Sequence, residues 1–355
     1  MNGITRPYKA VSLFTGCGGL DLGLEQAGFQ TRLATDAERL CASTYAANFG
    51  KTPFIVERIG ALTRQGLREQ LGPDADKLDL VAGGPPCPPF SKSRFYRQDM
   101  PRALDDPNGW ETINGYLKVL EWFRPRTFIL ENVKGLAYKV HRDALETIVS
   151  RAEKLGYKVT WGVLNAADFG VPQIRERCFV VGSLEGRVDL PAPTHAQDGV
   201  GLPAWRTAGD VLADLDTDEA ACDKGHFAGG RHNDLLKQVP PGDNYLFFTE
   251  KRGHPNPVFK WRGRYWSFLL KLSPDLPSWT IQARRSNNMG PFHWRNRILR
   301  IEEIKRLQTF PDAFTLAGAL EQQWRQIGNA VPPRLAEAVG RQLADHLGGR
   351  LEAAA

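Results

Sequence analysis

Over residues 9–170, short apolar runs alternate with longer stretches in which apolar positions recur every three or four residues. Residues 10–14, 31–34, 54–56, 78–82 and 127–130 read as strands; 20–27, a stretch through Ala47, and 143–155 read as helices. Two further runs, 159–164 and 178–181, complete the set. A β-α-β-α order of this kind predicts a mostly parallel sheet with right-handed crossovers. The pattern breaks near Gly182. Residues 184–290 are rich in Pro, Gly, Arg and Trp, with short strand-like pieces and little helical period, which predicts a second, smaller lobe. Helical character returns at 301–307 and 335–347, with no internal repeat.

The length of 355 residues suits a large core and two lobes. No apolar run reaches membrane-spanning length, and the first residues lack the long apolar core of a signal peptide, so a cytosolic protein is expected. Five cysteines (Cys17, Cys41, Cys87, Cys178, Cys222) lie singly. Without a C-x-x-C pair, neither a zinc site nor a disulfide framework is expected. The net charge of +6 is concentrated: residues 224–306 hold sixteen Lys and Arg against six Asp and Glu. Trp261, Tyr265, Trp266, Trp279 and Trp294 lie among them. Basic and aromatic residues together suit a polyanion with stackable bases; a solvated basic face over core tryptophans is the plainer alternative.

The strand at 78–82 stops at Gly83-Gly84 and enters Pro85-Pro86-Cys87-Pro88-Pro89. Prolines fix φ and remove backbone donors, so the turn can continue neither as helix nor as inner strand. Cys87 is thereby held just past the carboxyl end of a strand, where open α/β sheets bind ligands. A structural cysteine more often sits inside an apolar periodic segment. A second glycine turn, Phe14-Thr15-Gly16-Cys17-Gly18-Gly19-Leu20, follows the first strand. It departs from the dinucleotide pattern, and no Walker lysine is present. Asp36, at the end of the second strand, can accept both hydroxyls of a ribose. A nucleoside cofactor without phosphates fits better, and S-adenosylmethionine is the common one.

With Glu131-Asn132-Val133 at another strand end and Gln173-Ile174-Arg175-Glu176-Arg177 beyond it, the order of motifs resembles the DNA cytosine-5 methyltransferase family, prokaryotic type. The matching segments are FTGCGG from Phe14, GGPPCPPFS from Gly83, ENV from Glu131, QIRER from Gln173, RLQTFPDAF from Arg306 and QIGNAVPP from Gln326. They cover nearly the whole chain except roughly 184–275.

The resemblance implies a Rossmann-like α/β sheet with a smaller, irregular target-recognition lobe. The expected division is a catalytic domain over 1–183, completed by a C-terminal helix over 322–350, a target-recognition domain over 184–296 and a connecting segment over 297–321. Cys87 would be the thiolate nucleophile; an unperturbed thiol is only roughly 3% ionised at pH 7. Glu131 would protonate ring nitrogen 3, Arg175 would grip the cytosine carbonyl oxygen, and Arg177 would brace the site. Phe14, Gly16, Cys17, Gly18, Gly19, Leu20, Asp36, Ala37, Ile59, Pro86, Asn329 and Val331 would hold S-adenosylmethionine. Ser91, Arg94, Arg97, Gln173, Arg284 and Arg285 would meet double-stranded DNA, and no metal is expected. The polar, basic segment 92–108 resembles the family's mobile catalytic loop. The chain departs from its relatives at Ala37, where many carry an aromatic over the adenine, and at Arg58, where an acid usually reads the adenine amino group. Pro88 replaces a frequent glutamine. A monomer in the prokaryotic cytosol is expected, with a cognate restriction endonuclease or another phage-defence system as its setting. An RNA substrate, an inactive DNA-binding relative and an amino-group methyltransferase remain open as alternatives.

Overall fold

A computed structural model describes residues 7–86, 103–217 and 227–353. Cys87, Ser91, Arg94, Arg97 and Cys222 lie outside the described residues. The large lobe runs β1 (Tyr8–Leu13), α1 (Gly19–Gln26), β2 (Phe29–Asp36), α2 (Arg39–Phe49), β3 (Phe54–Val56), α3 (Arg64–Leu71) and β4 (Leu80–Gly83). It continues through α4 (Pro107–Phe123), β5 (Thr127–Val133), α5 (Arg142–Lys154), β6 (Lys158–Asn165), β7 (Gln173–Ile174) and β8 (Glu176–Ser183). Seven strands form one sheet in the order β3-β2-β1-β4-β5-β8-β6. The five from β3 to β5 are parallel, and β8 runs antiparallel to both β5 and β6. The strand order reverses between β1 and β4. In doubly wound sheets the crevice outside the carboxyl ends at such a reversal is the ligand site.

The parallel strands are buried on both faces, which is why they read as apolar runs rather than alternations. One face packs Leu13, Leu33, Tyr116, Leu120, Phe128 and Ile148 beneath α3, α4 and α5. The other packs Ala10, Leu24 and Ile129 against Leu335 and Leu343. Among the longer helices, α3, α4 and one over Leu320–Asn329 escape the periodicity reading. In α4, Gly109 and Gly115 interrupt the apolar stripe. Gly115 is required there, because a Cβ would come within 2.5 Å of the Ile59 side chain. The cap is legible in retrospect: the Asp106 side chain accepts from Asn108 N–H, and Pro107 opens the first turn.

Beyond β8 the chain is mostly irregular, with short α6 (Gly209–Leu212), α7 (Asn233–Gln238) and β9 (Ser278–Trp279), then α8 (Ile301–Leu307). The helix expected over 322–350 is two helices, α9 (Leu320–Asn329) and α10 (Pro333–Ala353), because Pro332 and Pro333 cannot continue a hydrogen-bond ladder. A third core joins Leu212, Leu236, Phe248, Leu269 and Phe292 of the small lobe to Ile304, Trp324 and Ile327, and also to Tyr45 and Phe49 of α2. A two-stranded parallel pair, Gln173 with Ser278 and Ile174 with Trp279, stitches the lobes together next to the crevice.

Candidate active site

At the exit of β1 the chain bends through positive φ at Phe14 (54°), Gly16 (58°) and Gly18 (88°) before α1 begins. Only glycine fits at Gly18 and Gly19. A Cβ on Gly18 would lie 2.4 Å from the Phe49 ring, and one on Gly19 would lie 2.4 Å from the Val331 carbonyl oxygen. The 330–331 backbone thus rests on the turn. A Cβ on Gly16 would meet nothing within 4 Å, so the turn is open on the crevice side there. The Asp36 carboxylate accepts from the Gly16 N–H at 2.9 Å and from the Glu38 N–H at 2.8 Å. Burial pushes its pKa up, and the Glu38 and Gly16 N–H groups pull it part of the way back. Asp21 supports the turn from inside, accepting from Ser12, Tyr45 and Thr31 hydroxyls. Burial pushes that carboxyl up to about 6. The set (an open glycine turn, a helix N-terminus and a carboxylate at the next strand end) fits a ribose-bearing ligand.

A second constellation lies where β4 and β5 end. Glu131 is 5% exposed. It faces Phe179 across the β5–β8 ladder, while Val133 faces Arg177, so Glu131 and Arg177 lie diagonally on one face. The Arg177 Nε is 3.1 Å from Glu131 Oε1. Burial pushes the Glu131 carboxyl above its ordinary pKa; Arg177 and then Arg175 oppose the rise. Gly84, leaving β4, comes so close that a Cβ would be 2.8 Å from Glu131 Oε2. Asn132 Nδ2 donates to the Pro85 carbonyl at 3.1 Å and fixes the approach of the proline turn. A buried carboxyl with an arginine beside it thus stands where the chain leaves β4.

Arg175 is only 1% exposed. Its Nη1 donates to the Ile281 carbonyl at 3.1 Å, and its Nη2 to the Gly328 and Ala330 carbonyls at 2.8 and 2.9 Å. Gln173 is fully buried; its Nε2 donates to Leu307 O and Gln308 Oε1, and its Oε1 accepts from Ile281 N–H. These two side chains join the large lobe, the small lobe and the α9–α10 break.

The C-5 cytosine-specific DNA methylase model matches residues 8–345. The chain belongs to that family. It is a DNA cytosine-5 methyltransferase. It is 39% identical to the Type II methyltransferase M.SacI of Streptomyces achromogenes, over 95% of this chain and 93% of that protein. It is 33% identical to the Type II methyltransferase M.NgoFVII of Neisseria gonorrhoeae, over 94% and 86%. Among solved structures, the S. pombe Dnmt2 methyltransferase superposes with a TM-score of 0.63 at 16% identity, covering 96% of this chain and 99% of that one. That likeness supports the fold.

For this methyltransferase the structure revises three expectations. The arginine on the Glu131 carboxylate is Arg177, whereas Arg175, expected to grip the base, is held by three backbone carbonyls. Arg177 lies within β8 on the face of Glu131, whereas Arg175 precedes that strand, between β7 and β8, a difference that two arginines two residues apart do not reveal in the sequence. Gln173 is buried against protein groups and presents no edge to DNA. Arg285, expected beside DNA, is 4% exposed with Nη1 3.4 Å from Glu321; Arg284 beside it is exposed. Phe14, Cys17, Leu20 and Ile59 are partly or wholly buried around the crevice, whereas Ala37, Pro86 and Asn329 are exposed. The lobe's aromatics divide. Trp261, Tyr265, Trp266 and Trp279 are exposed, while Trp294 packs on the core. Trp266 and Trp279 meet edge to face at 4.8 Å, and Lys251 sits 4.4 Å over the Trp261 ring. Sequence reading missed Gly84 and Asn132, whose only signal is adjacency to the motifs they serve.

Proposed function

We propose that this chain transfers a methyl group from S-adenosylmethionine to carbon 5 of a cytosine flipped out of double-stranded DNA, through a covalent Cys87 adduct at carbon 6. The observation that carries the reading is the buried Glu131–Arg177 pair at the β4–β5 edge, beside a proline turn that leads into Cys87. Carbon 5 of cytosine is a poor nucleophile. Attack of the Cys87 thiolate on carbon 6 forms an S–C bond and moves the ring electrons toward carbon 5. Glu131, whose carboxyl burial pushes above its ordinary pKa, would donate a proton to ring nitrogen 3 as that charge develops. Arg177 stabilises the adjacent carbonyl oxygen and orients Glu131. S-adenosylmethionine, when bound, supplies the electrophilic methyl. Loss of the carbon 5 proton, cleavage of the S–C bond and return of the nitrogen 3 proton to Glu131 then restore the base, the thiolate and the acid. The described cysteines are poor candidates for the nucleophile. Cys17, Cys41 and Cys178 are buried, and burial pushes each thiol well above its ordinary range.

The open side of Gly16 and the carboxylate of Asp36 would hold the cofactor's methionine end and ribose, with Phe14, the 17–20 turn and Val331 around them. Extrusion of the base costs a few kcal/mol, which DNA contacts must supply. Residues 184–296 would carry base reading, with Arg284 as the reader; Ser91, Arg94 and Arg97 would grip the strand from the catalytic side. A restriction-modification setting in a prokaryotic cytosol, with the protein acting as a monomer, fits the Type II relatives.

The test is expression in a methylation-free bacterial host followed by bisulfite sequencing, with a 5-fluorocytosine duplex as trap. We expect protected cytosines in one short sequence context and a trapped adduct that the Cys87→Ser variant does not form. Modified tRNA with unmodified DNA, or an adduct that persists in Cys87→Ser, would refute the reading.

A further inference from the structure

The crevice has a direction. The reactive end lies at Glu131, on the β4–β5 side, and the ribose acceptor Asp36 lies at the end of β2. A nucleoside whose transferable group faces Glu131 must point its base the other way, past Asp36 toward β3. Asp36 pairs with Val56 in the ladder, and the Glu57 N–H donates to the Asp36 carbonyl, so residues 57–60 leave the sheet at that end. Arg58, which leaves β3 there, is a donor only and cannot receive the amino hydrogens of adenine. It carries a carboxylate with it. Arg58 Nη2 donates to Glu111 Oε2 at 2.7 Å, its Nε to Oε1 at 3.4 Å, and Nη2 also to Asn108 Oδ1 at 3.3 Å. The Arg58 guanidinium and the Gly60 N–H hold the Glu111 carboxyl below its usual range. Contact is close enough that a Cβ on Gly60 would sit 2.6 Å from Glu111 Oε1. Gly115, one turn along α4, presses on Ile59 and fixes the distance between helix and strand end.

From this juxtaposition we infer that Glu111, delivered from α4 and aimed by Arg58 and Gly60, is the acceptor for the adenine amino group of the cofactor. Glu111 is the specificity residue; Arg58 is a positioning residue acting through it. The inference rests on the cofactor reading above and adds to it the side chain that distinguishes adenine from other purines.

Calorimetry on the full chain would measure binding of S-adenosylhomocysteine and of its 6-deamino (purine riboside) analogue. Wild-type protein should prefer the amino form by about 10–100-fold, the range for a hydrogen bond to a charged acceptor. Glu111→Ala should lose that preference, with S-adenosylhomocysteine weakened by the same factor and the deamino analogue changed less than about threefold. Glu111→Gln, which keeps the shape and a carbonyl acceptor, should fall between. Arg58→Ala should reduce the preference partially, and Arg58→Lys should restore part of it. Equal weakening of both ligands in Glu111→Ala and Glu111→Gln, or an undiminished preference, would overturn the inference alone. Wild-type protein that binds neither ligand would sink the cofactor reading and this inference with it.

Discussion

Arg175 and Arg177 sit two residues apart and do opposite work. Arg177 pairs with the buried Glu131 carboxyl, while Arg175 satisfies three backbone carbonyls from two other segments. Arg175→Ala would strand those carbonyls in the interior and should lower unfolding stability by about 2–4 kcal/mol in urea titration. Arg177→Ala should leave the urea midpoint nearly unchanged while cutting kcat by about 10²–10³-fold, as expected for loss of a preorganised electrostatic partner. A reversed pattern would return the arginines to the roles read from sequence. Asp21 gives a pH test. Its carboxyl is pushed up to about 6 in the fold against roughly 3.9 unfolded, so the folded state binds the extra proton. Its contribution is full below about pH 4 and is lost as pH rises through about 6, amounting to about 2–3 kcal/mol. Asp21→Asn should remove that slope from the stability profile measured between pH 4 and 7; parallel profiles would refute the protonation.

At the scale of elements, α1 and α10 meet in close contact. Gly23 lies where a Cβ would come 2.2 Å from the Pro333 carbonyl oxygen and 2.5 Å from the Ala336 Cβ. In an isolated helix, glycine to alanine stabilises by about 1 kcal/mol. Here backbone stands in the way, and overpacking of this kind costs about 1–3 kcal/mol or more. Gly23→Ala should therefore be net destabilising in thermal unfolding, and should weaken cofactor binding through the 330–331 backbone that rests on Gly19. A stabilised variant would show that α10 can shift. The same joint explains why α9 and α10 are separate. The proline break lets α9 join the core shared with the small lobe, while α10 turns back over α1.

On the scale of the whole molecule, the small lobe is anchored rather than appended. Ser278 N–H donates to the Pro172 carbonyl, Ile281 meets both Gln173 and Arg175, and the third core crosses the lobe boundary. An exchange of 184–296 with a relative of different specificity should transfer the modified sequence, read by bisulfite sequencing, provided 278–281 are retained in type. If the site instead follows the large lobe, base reading lies elsewhere. The strands, the glycine turn and the order of motifs were legible because each is a local signal: an apolar run, a run of glycines, a residue type at a strand end. The scarcity of regular elements beyond β8 was legible as composition. What only the tertiary structure decided is which polar side chains meet. Burial made Gln173, Arg175 and Arg285 internal braces, the pairing of β8 with β5 put Arg177 on Glu131, and α4 brought Glu111 to Arg58 from fifty-three residues away. Those outcomes depend on the relative placement of segments distant in sequence, and no local periodicity encodes it.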